Sequence, residues 1–244
     1  MKAVSIGVVS AFGLALVAAC GSSEESGSAN NAVAAPPGAG SGGAGNLPSE
    51  FEVFPPKIFT GYDGSHTFKA PIIAVSSPGE VTWSIADPSI AMIAPDPSDS
   101  TELMITALAA GTTTVTATSG SASMTVPLEV VAYTQEQYAA GEQRYKNGDD
   151  DNPACIDCHA PGKGPDHTAT ELDADPDDEV QNTFLSGIDP EGRPIEDNSE
   201  YSFLLKGKDH MWQVTEVERL GLLAYLRALE PMGYPEYDEP TTMK

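Results

Sequence analysis

Cys155-Ile156-Asp157-Cys158-His159 packs two thiols and an imidazole into five consecutive residues, and no other stretch limits so strongly what this chain can fold around. The 244 residues hold only three cysteines. Whatever this pentapeptide binds, the surrounding chain must be built to receive it. Thiols at this spacing serve several chemistries. A redox-active pair would open a helix after a strand in a βαβ pattern, which is absent here. A zinc site would want a fourth ligand and usually a second cysteine or histidine pair nearby. His167 and His210 are the histidines available, and neither has zinc-site spacing.

The remaining chemistry is covalent attachment of haem c. At C-x-x-C-H spacing the thiols of Cys155 and Cys158 add across the vinyl groups of the porphyrin, and His159 is the proximal axial ligand of the iron. With one edge of the ring fixed covalently, the imidazole of His159 reaches the proximal face at almost no further ordering cost. A group tethered in this way cannot be lost when the iron changes charge.

The third cysteine closes the opening segment. Lys2 supplies a positive charge, residues 4–16 are apolar, and Val17-Ala18-Ala19-Cys20 ends the stretch. The apolar run is too short to cross a hydrocarbon core of about 30 Å comfortably. The segment resembles a bacterial lipoprotein signal with its lipobox, which implies that residues 1–19 are removed and that Cys20 is acylated as the first mature residue. Gly21 follows it, and by the sorting rule of two-membrane bacteria the absence of Asp there implies the outer membrane. Export also delivers Cys155 and Cys158 to the compartment where c-type cytochromes mature.

Composition divides the rest. Residues 20–49 are rich in Gly, Ser, Ala and Pro, cannot bury a core, and read as a flexible tether with a reach on the order of 30 Å. Residues 50–132 favour strands. Val81, Trp83 and Ile85 alternate with Thr82 and Ser84; Leu103 and Ile105 do likewise, as do Met124, Val126, Leu128 and Val130. This is the pattern of an all-β sandwich. The stretch from Val81 to Ala91, followed by Ala110-Gly111-Thr112-Thr113-Thr114-Val115-Thr116-Ala117-Thr118, resembles a bacterial immunoglobulin-like domain of group 2. Such a resemblance implies a spacer or adhesive module of an exported protein. No catalytic constellation is visible in it: His66 reads as a strand or edge residue, and Met92, Met104 and Met124 as core.

Residues 133–235 change to helical periodicity, and 236–244 read as a tail. Thr134-Gln135-Glu136-Gln137 is a capping box opening a helix that carries Tyr138, Gly141 and Tyr145 and stops near Gly148. Thr215-Glu216-Val217-Glu218 opens another, with Leu222, Tyr225, Leu226 and Leu229 on one face and Pro231 beyond its end. Helix, C-x-x-C-H, long loops and a terminal helix together resemble a small monohaem cytochrome c of the class I type. Gly141 and Tyr145 match that family's first helix, and Leu222-Leu223-Ala224-Tyr225-Leu226 its terminal helix. The resemblance implies an all-α domain in which these helices cross.

The family takes its distal axial ligand from the loop before the terminal helix, which points to Asp209-His210-Met211-Trp212. Met211 is the residue type usual there, and a neutral thioether favours reduced iron. The sequence departs from the pattern in lacking a proline after the methionine and in its short interval to Thr215, so His210 stands as the alternative. His167 follows His159 too closely to reach round the ring easily, Met232 reads as tail packing, and Trp212 as a wall against the porphyrin. Gly162-Lys163-Gly164-Pro165 resembles the family loop whose carbonyl accepts the proximal imidazole N–H, a bond that would orient the ring.

Twelve basic against 36 acidic residues give a formal net charge of −24, which excludes nucleic acid as a partner. Acidic residues crowd the last part, in Asp149-Asp150-Asp151 and from Asp173 to Glu179. They read as solvated loops, with a calcium site or a docking face for a basic redox partner as sharper options. The expected function is electron transfer by a membrane-anchored monohaem cytochrome, not bond-making catalysis. The alternatives are a haem sensor or ligand-binding surface protein with an open sixth position, and an accessory cytochrome subunit of a larger oxidoreductase.

Overall fold

A computed structural model of the chain describes residues 50–95, 103–160, 167–190, 192–195 and 210–234. Cys20, the signal segment, the tether, Gly162 to Pro165 and the tail from 236 lie outside the described residues.

The described residues of the first part carry eight strands: β1 (Glu52–Phe54), β2 (Ile58–Tyr62), β3 (Lys69–Val75), β4 (Thr82–Ile85), β5 (Ala91–Pro95), β6 (Leu103–Ala107), β7 (Gly111–Ser119) and β8 (Ala122–Ala132). They form two four-stranded sheets, in the orders β1-β3-β6-β5 and β2-β8-β7-β4. All pairings are antiparallel except β2 with β8. The sandwich follows from the period-2 pattern, since alternate side chains of a strand point to opposite faces. Val126, Leu128 and Val130 of β8 are buried, as are Val115 and Ala117 of β7 and Ile72 and Ile105 of the other sheet. Burying each of these Val, Leu and Ile side chains contributes about 1.5–3 kcal/mol.

Two sandwich expectations need correction. Met92 is 48% exposed, whereas Met104 is buried and Met124 packs half-buried against the core. Alternation explains Met92: Ala91 of edge strand β5 is fully buried, so its neighbour must face outward. His66 stands in the bend between β2 and β3 and not on a strand. Its Nδ1 pairs with Asp63 Oδ2 at 2.6 Å, and its ring stacks on Tyr138 at 3.5 Å.

Among the described residues five helices follow: α1 (Gln135–Asn147), α2 (Cys155–His159), α3 (Ala169–Leu172), α4 (Asp177–Ser186) and α5 (Glu216–Arg227). Both capping boxes form. Gln137 N–H donates to Thr134 Oγ1 while Thr134 N–H donates to Gln137 Oε1, and Thr215 and Glu218 repeat the exchange. Gly148 ends α1 with a positive φ of 59°. The α1 and α5 helices touch backbone to backbone: a Cβ built on Gly141 would lie 1.8 Å from the Gly221 carbonyl oxygen. Only glycine at both positions permits that approach.

The acidic run from 173 to 179 is not a solvated loop. Asp173 is buried, and Asp177 and Asp178 open α4, where carboxylates complement the helix N-terminus. Arg227, almost fully buried at the end of α5, donates to the carbonyls of Leu172 and Asp175 and to Asp177 Oδ1. The other Asp177 oxygen accepts from Tyr133 OH at the end of the sandwich. Phe59 N–H of edge strand β2 donates to the Asp173 carbonyl at 2.7 Å, which covers part of an otherwise open sheet edge. Tyr234 completes the junction, its ring edge-on to Phe54 at 5.0 Å and its hydroxyl donating to Asp173 Oδ2 at 2.8 Å.

Candidate functional site

The C-x-x-C-H run is the whole of α2, from Cys155 to His159. Ala154 precedes it in an extended conformation, and the loop that delivers it is built on Asp149, whose Oδ1 accepts from the backbone N–H groups of Asp151 and Asn152 at 2.9 and 2.8 Å. Asp149 Oδ2 pairs with the buried guanidinium of Arg144 on α1. Arg144 also donates to Asn152 Oδ1 and to the Gln213 carbonyl, and lies 5.1 Å over the Trp212 ring. One buried cation thus ties α1, the loop before α2 and the segment before α5 together. The Asp149 carboxylate is spent on this work.

Cys155 and Cys158 are free thiols, both half-buried. Burial pushes the Cys155 thiol up to about 12, and the nearby Arg144 charge offsets this only in part. A thiol held protonated is a poor nucleophile for exchange, which weighs against a redox-active pair.

Three imidazoles gather at the end of α2. The ring of His167 stacks on His159 at 3.5 Å with planes 20° apart, and the ring of His210 meets His159 edge-on at 6.1 Å and 90°. Tyr145 of α1 approaches His167 at 6.0 Å and Tyr225 of α5 at 5.1 Å, so the aromatic residues of both crossing helices form the wall behind the cluster. Burial holds His167 well below the usual imidazole range, and the neighbouring His159 and His210 act in the same direction. Its Nδ1 is buried with no hydrogen-bond partner among the described residues. The rings meet by stacking and edge contact, and no group of three or more His, Cys, Asp or Glu among the described residues could hold a bare metal ion.

His210 and Trp212 thus join the site, whereas Met211 is 58% exposed and Met232, read from sequence as packing, is 62% exposed. Trp212 is buried against Arg144, and its backbone N–H donates to the Phe184 carbonyl at 2.9 Å. Sequence reasoning set His167 aside and missed Arg144. The signal for Arg144 was its place beside Tyr145 on the buried face of α1, where a cation is unusual. His167 carried none, since nothing in its surroundings tells where the chain after α2 turns.

Two free thiols on one turn, a histidine directly after them, further imidazoles close by and an orphaned buried ring nitrogen form a donor set that fits a covalently held haem. It fits a closed zinc site poorly, because zinc wants four convergent ligands.

Residues 55–130 match the bacterial Ig-like domain (group 2). Among solved structures, domains 4 and 5 of the S-layer protein SbsC are similar at 22% identity and a TM-score of 0.27, over 36% of this chain and 53% of that one. SbsC domains 5–6 are similar at 23% identity and a TM-score of 0.25, over 35% of this chain and 44% of that one. The chain spans about half the length of these SbsC fragments. No curated protein matches.

Proposed function

We propose that the chain is an electron carrier of the bacterial cell envelope: a monohaem c-type cytochrome, anchored by lipid on Cys20 and joined to an immunoglobulin-like module that spaces or orients it. The observation that carries this reading is α2, a single helical turn that holds two free thiols and ends in His159. When bound, haem supplies a reversible one-electron couple.

The roles of the chain's own residues follow. Cys155 and Cys158 would hold the haem through two thioethers, each thiol S–H adding across a vinyl bond with no atom lost. His159 would supply one iron-ligating nitrogen, and Met211 and His210 are the two residues offered as the second ligand. Tyr145, Tyr225 and Trp212 keep water from one side of the site. Electron exchange leaves every protein bond intact, so no general acid or base is required. The excess of 36 acidic over 12 basic residues suits a redox partner with a basic docking face, and makes docking sensitive to ionic strength. Acylation of Cys20 would hold the folded part near the outer membrane while the Gly- and Ser-rich segment after it spans the gap.

Expression of the full chain with the cytochrome c maturation machinery tests the reading. The denatured protein should keep one haem, seen by in-gel haem staining and by mass. Cys155→Ala and Cys158→Ala together should abolish that retention, and Cys20→Ser should move the protein from the membrane to the soluble fraction with its haem spectrum unchanged. Haem that acidified organic solvent extracts from the wild type would refute covalent attachment, and a Cys20→Ser protein that has lost residues 1–19 and stays membrane-bound would refute the lipid anchor.

A further inference from the structure

We infer that the second axial ligand is the imidazole of His210 and not the thioether of Met211, an assignment that rests on the haem reading above. The argument is one of backbone placement. Residues 210–212 lie across the C-terminal end of α4: Trp212 N–H is bonded to the Phe184 carbonyl, and the His210 carbonyl packs on Gly187, where an added Cβ would lie 3.4 Å from that oxygen. Gly187 has a left-handed backbone and caps α4. With His210 and Trp212 both held inward, Met211 between them is turned out, which is why it is 58% exposed. To bring the thioether to the site, the chain would have to pull Trp212 out of its buried place against Arg144.

Distances separate the two other imidazoles. A first-row metal sits about 2 Å from an imidazole nitrogen, so two axial rings on opposite sides of one iron have centres about 6 Å apart. The ring centres of His159 and His210 stand 6.1 Å apart with planes at 90°, a separation that admits one metal between them once a nitrogen of each ring is turned toward it. His159 and His167 stack at 3.5 Å, too close to take an iron between them, so His167 is a positioning residue that steadies the proximal ring. Two imidazoles stabilise ferric iron relative to imidazole plus thioether, and the carrier should therefore work at low potential.

The test uses the full chain matured with haem. The wild-type ferric protein should be low-spin and should lack the sulfur-to-iron charge-transfer absorption at the red edge of the visible spectrum. Met211→Leu should leave the spectrum and the midpoint potential unchanged. His210→Ala should turn the ferric iron high-spin and open the ferrous iron to carbon monoxide, and added imidazole should restore the low-spin state. His167→Ala should keep the low-spin spectrum. The charge-transfer absorption in the wild type, its loss in Met211→Leu, a high-spin His167→Ala, or ready carbon monoxide binding by the wild type would each overturn the assignment. If His210→Ala fails to mature, the wild-type ferric spectrum decides by itself. In-gel haem staining of every variant separates this failure from failure of the haem reading: a stained band with the wrong ligand spectrum sinks only His210, and an unstained wild type sinks both.

Discussion

The sandwich and the helical part bury different things. Among the described residues of the sandwich the buried polar residues are Thr60 and Ser119, and the other buried side chains are apolar. In the helical part Arg144, Asn152, Asp173 and Arg227 are buried. Burial of a charge costs free energy unless partners meet it, and loss of one partner then leaves the other stranded. The sandwich is therefore specified by a repeated pattern in which many residues each contribute a little. The helical part is specified by a few close approaches and polar knots, and by whatever α2 holds. An error should be absorbed in the first and amplified in the second.

The sharpest break should come from Gly141→Ala. The new methyl group would meet the Gly221 carbonyl at 1.8 Å, so α1 and α5 must move apart and uncover Leu222 and Tyr225. We expect a loss of about 3 kcal/mol or more, at the upper end of overpacking costs. Hydrogen exchange followed by mass spectrometry should show α1 and α5 unprotected while β7 and β8 keep their protection. Equal loss of protection in β7 and β8 would show that the two parts unfold as one, and the contrast would fail.

The same contrast decides what was legible in the sequence. Alternation along β8 marked its core face, and the two capping boxes marked α1 and α5, because both signals are local. Met92 reads as core from its place on a strand, and the parity that buried Ala91 sets turns it outward. The α4 helix was missed because its acidic start looked like a loop, although Pro176, the acidic first turn and Val180 with Phe184 four residues on make a helix start. In the site, α2 was legible as a pentapeptide. The inward turn of His210 and the stacking of His167 were not, for both depend on where α4 ends and where distant chain segments meet. Arg227 and Asp173 belong to the same class, since their hydrogen-bond partners Leu172 and Tyr234 lie more than fifty positions away.

Asp173→Asn sharpens the comparison at the junction. Burial holds the Asp173 carboxyl well above its ordinary value of 3.8, outweighing the Tyr234 hydrogen bond and the Arg227 charge, and its Oδ1 has no hydrogen-bond partner among the described residues. A carboxyl raised on folding contributes stability that is complete below about 3.8 and is lost as pH rises through the folded value. Denaturant melts should give wild type and Asp173→Asn similar stability in acid, with a gap opening in favour of Asn toward neutral pH, on the order of 1–3 kcal/mol. A gap that stays constant with pH would mean that Asp173 is ionised in its buried place and matched by Arg227.

The smallest effect expected is that of Thr215→Ala, and it shows how local a helical signal can be. Thr215 Oγ1 accepts the Glu218 N–H and donates to Glu218 Oε2, so its removal strands one donor of the first turn of α5 and loosens the carboxylate that closes the box. Loss of such a cap costs about 1 kcal/mol. The sign with pH follows from Glu218, whose carboxyl is held below 4.5 first by the Thr215 backbone N–H and next by its hydroxyl. That contribution is present above about 4.5 and disappears as pH falls through the folded value, so the difference between wild type and variant should narrow in acid. Met92→Thr on the exposed face of β5 is the matched change in the sandwich and should alter stability by less than about 0.5 kcal/mol at any pH. A Thr215→Ala cost as small as that of Met92→Thr would mean that α5 is held by Gly141 and its buried face alone, with the cap idle.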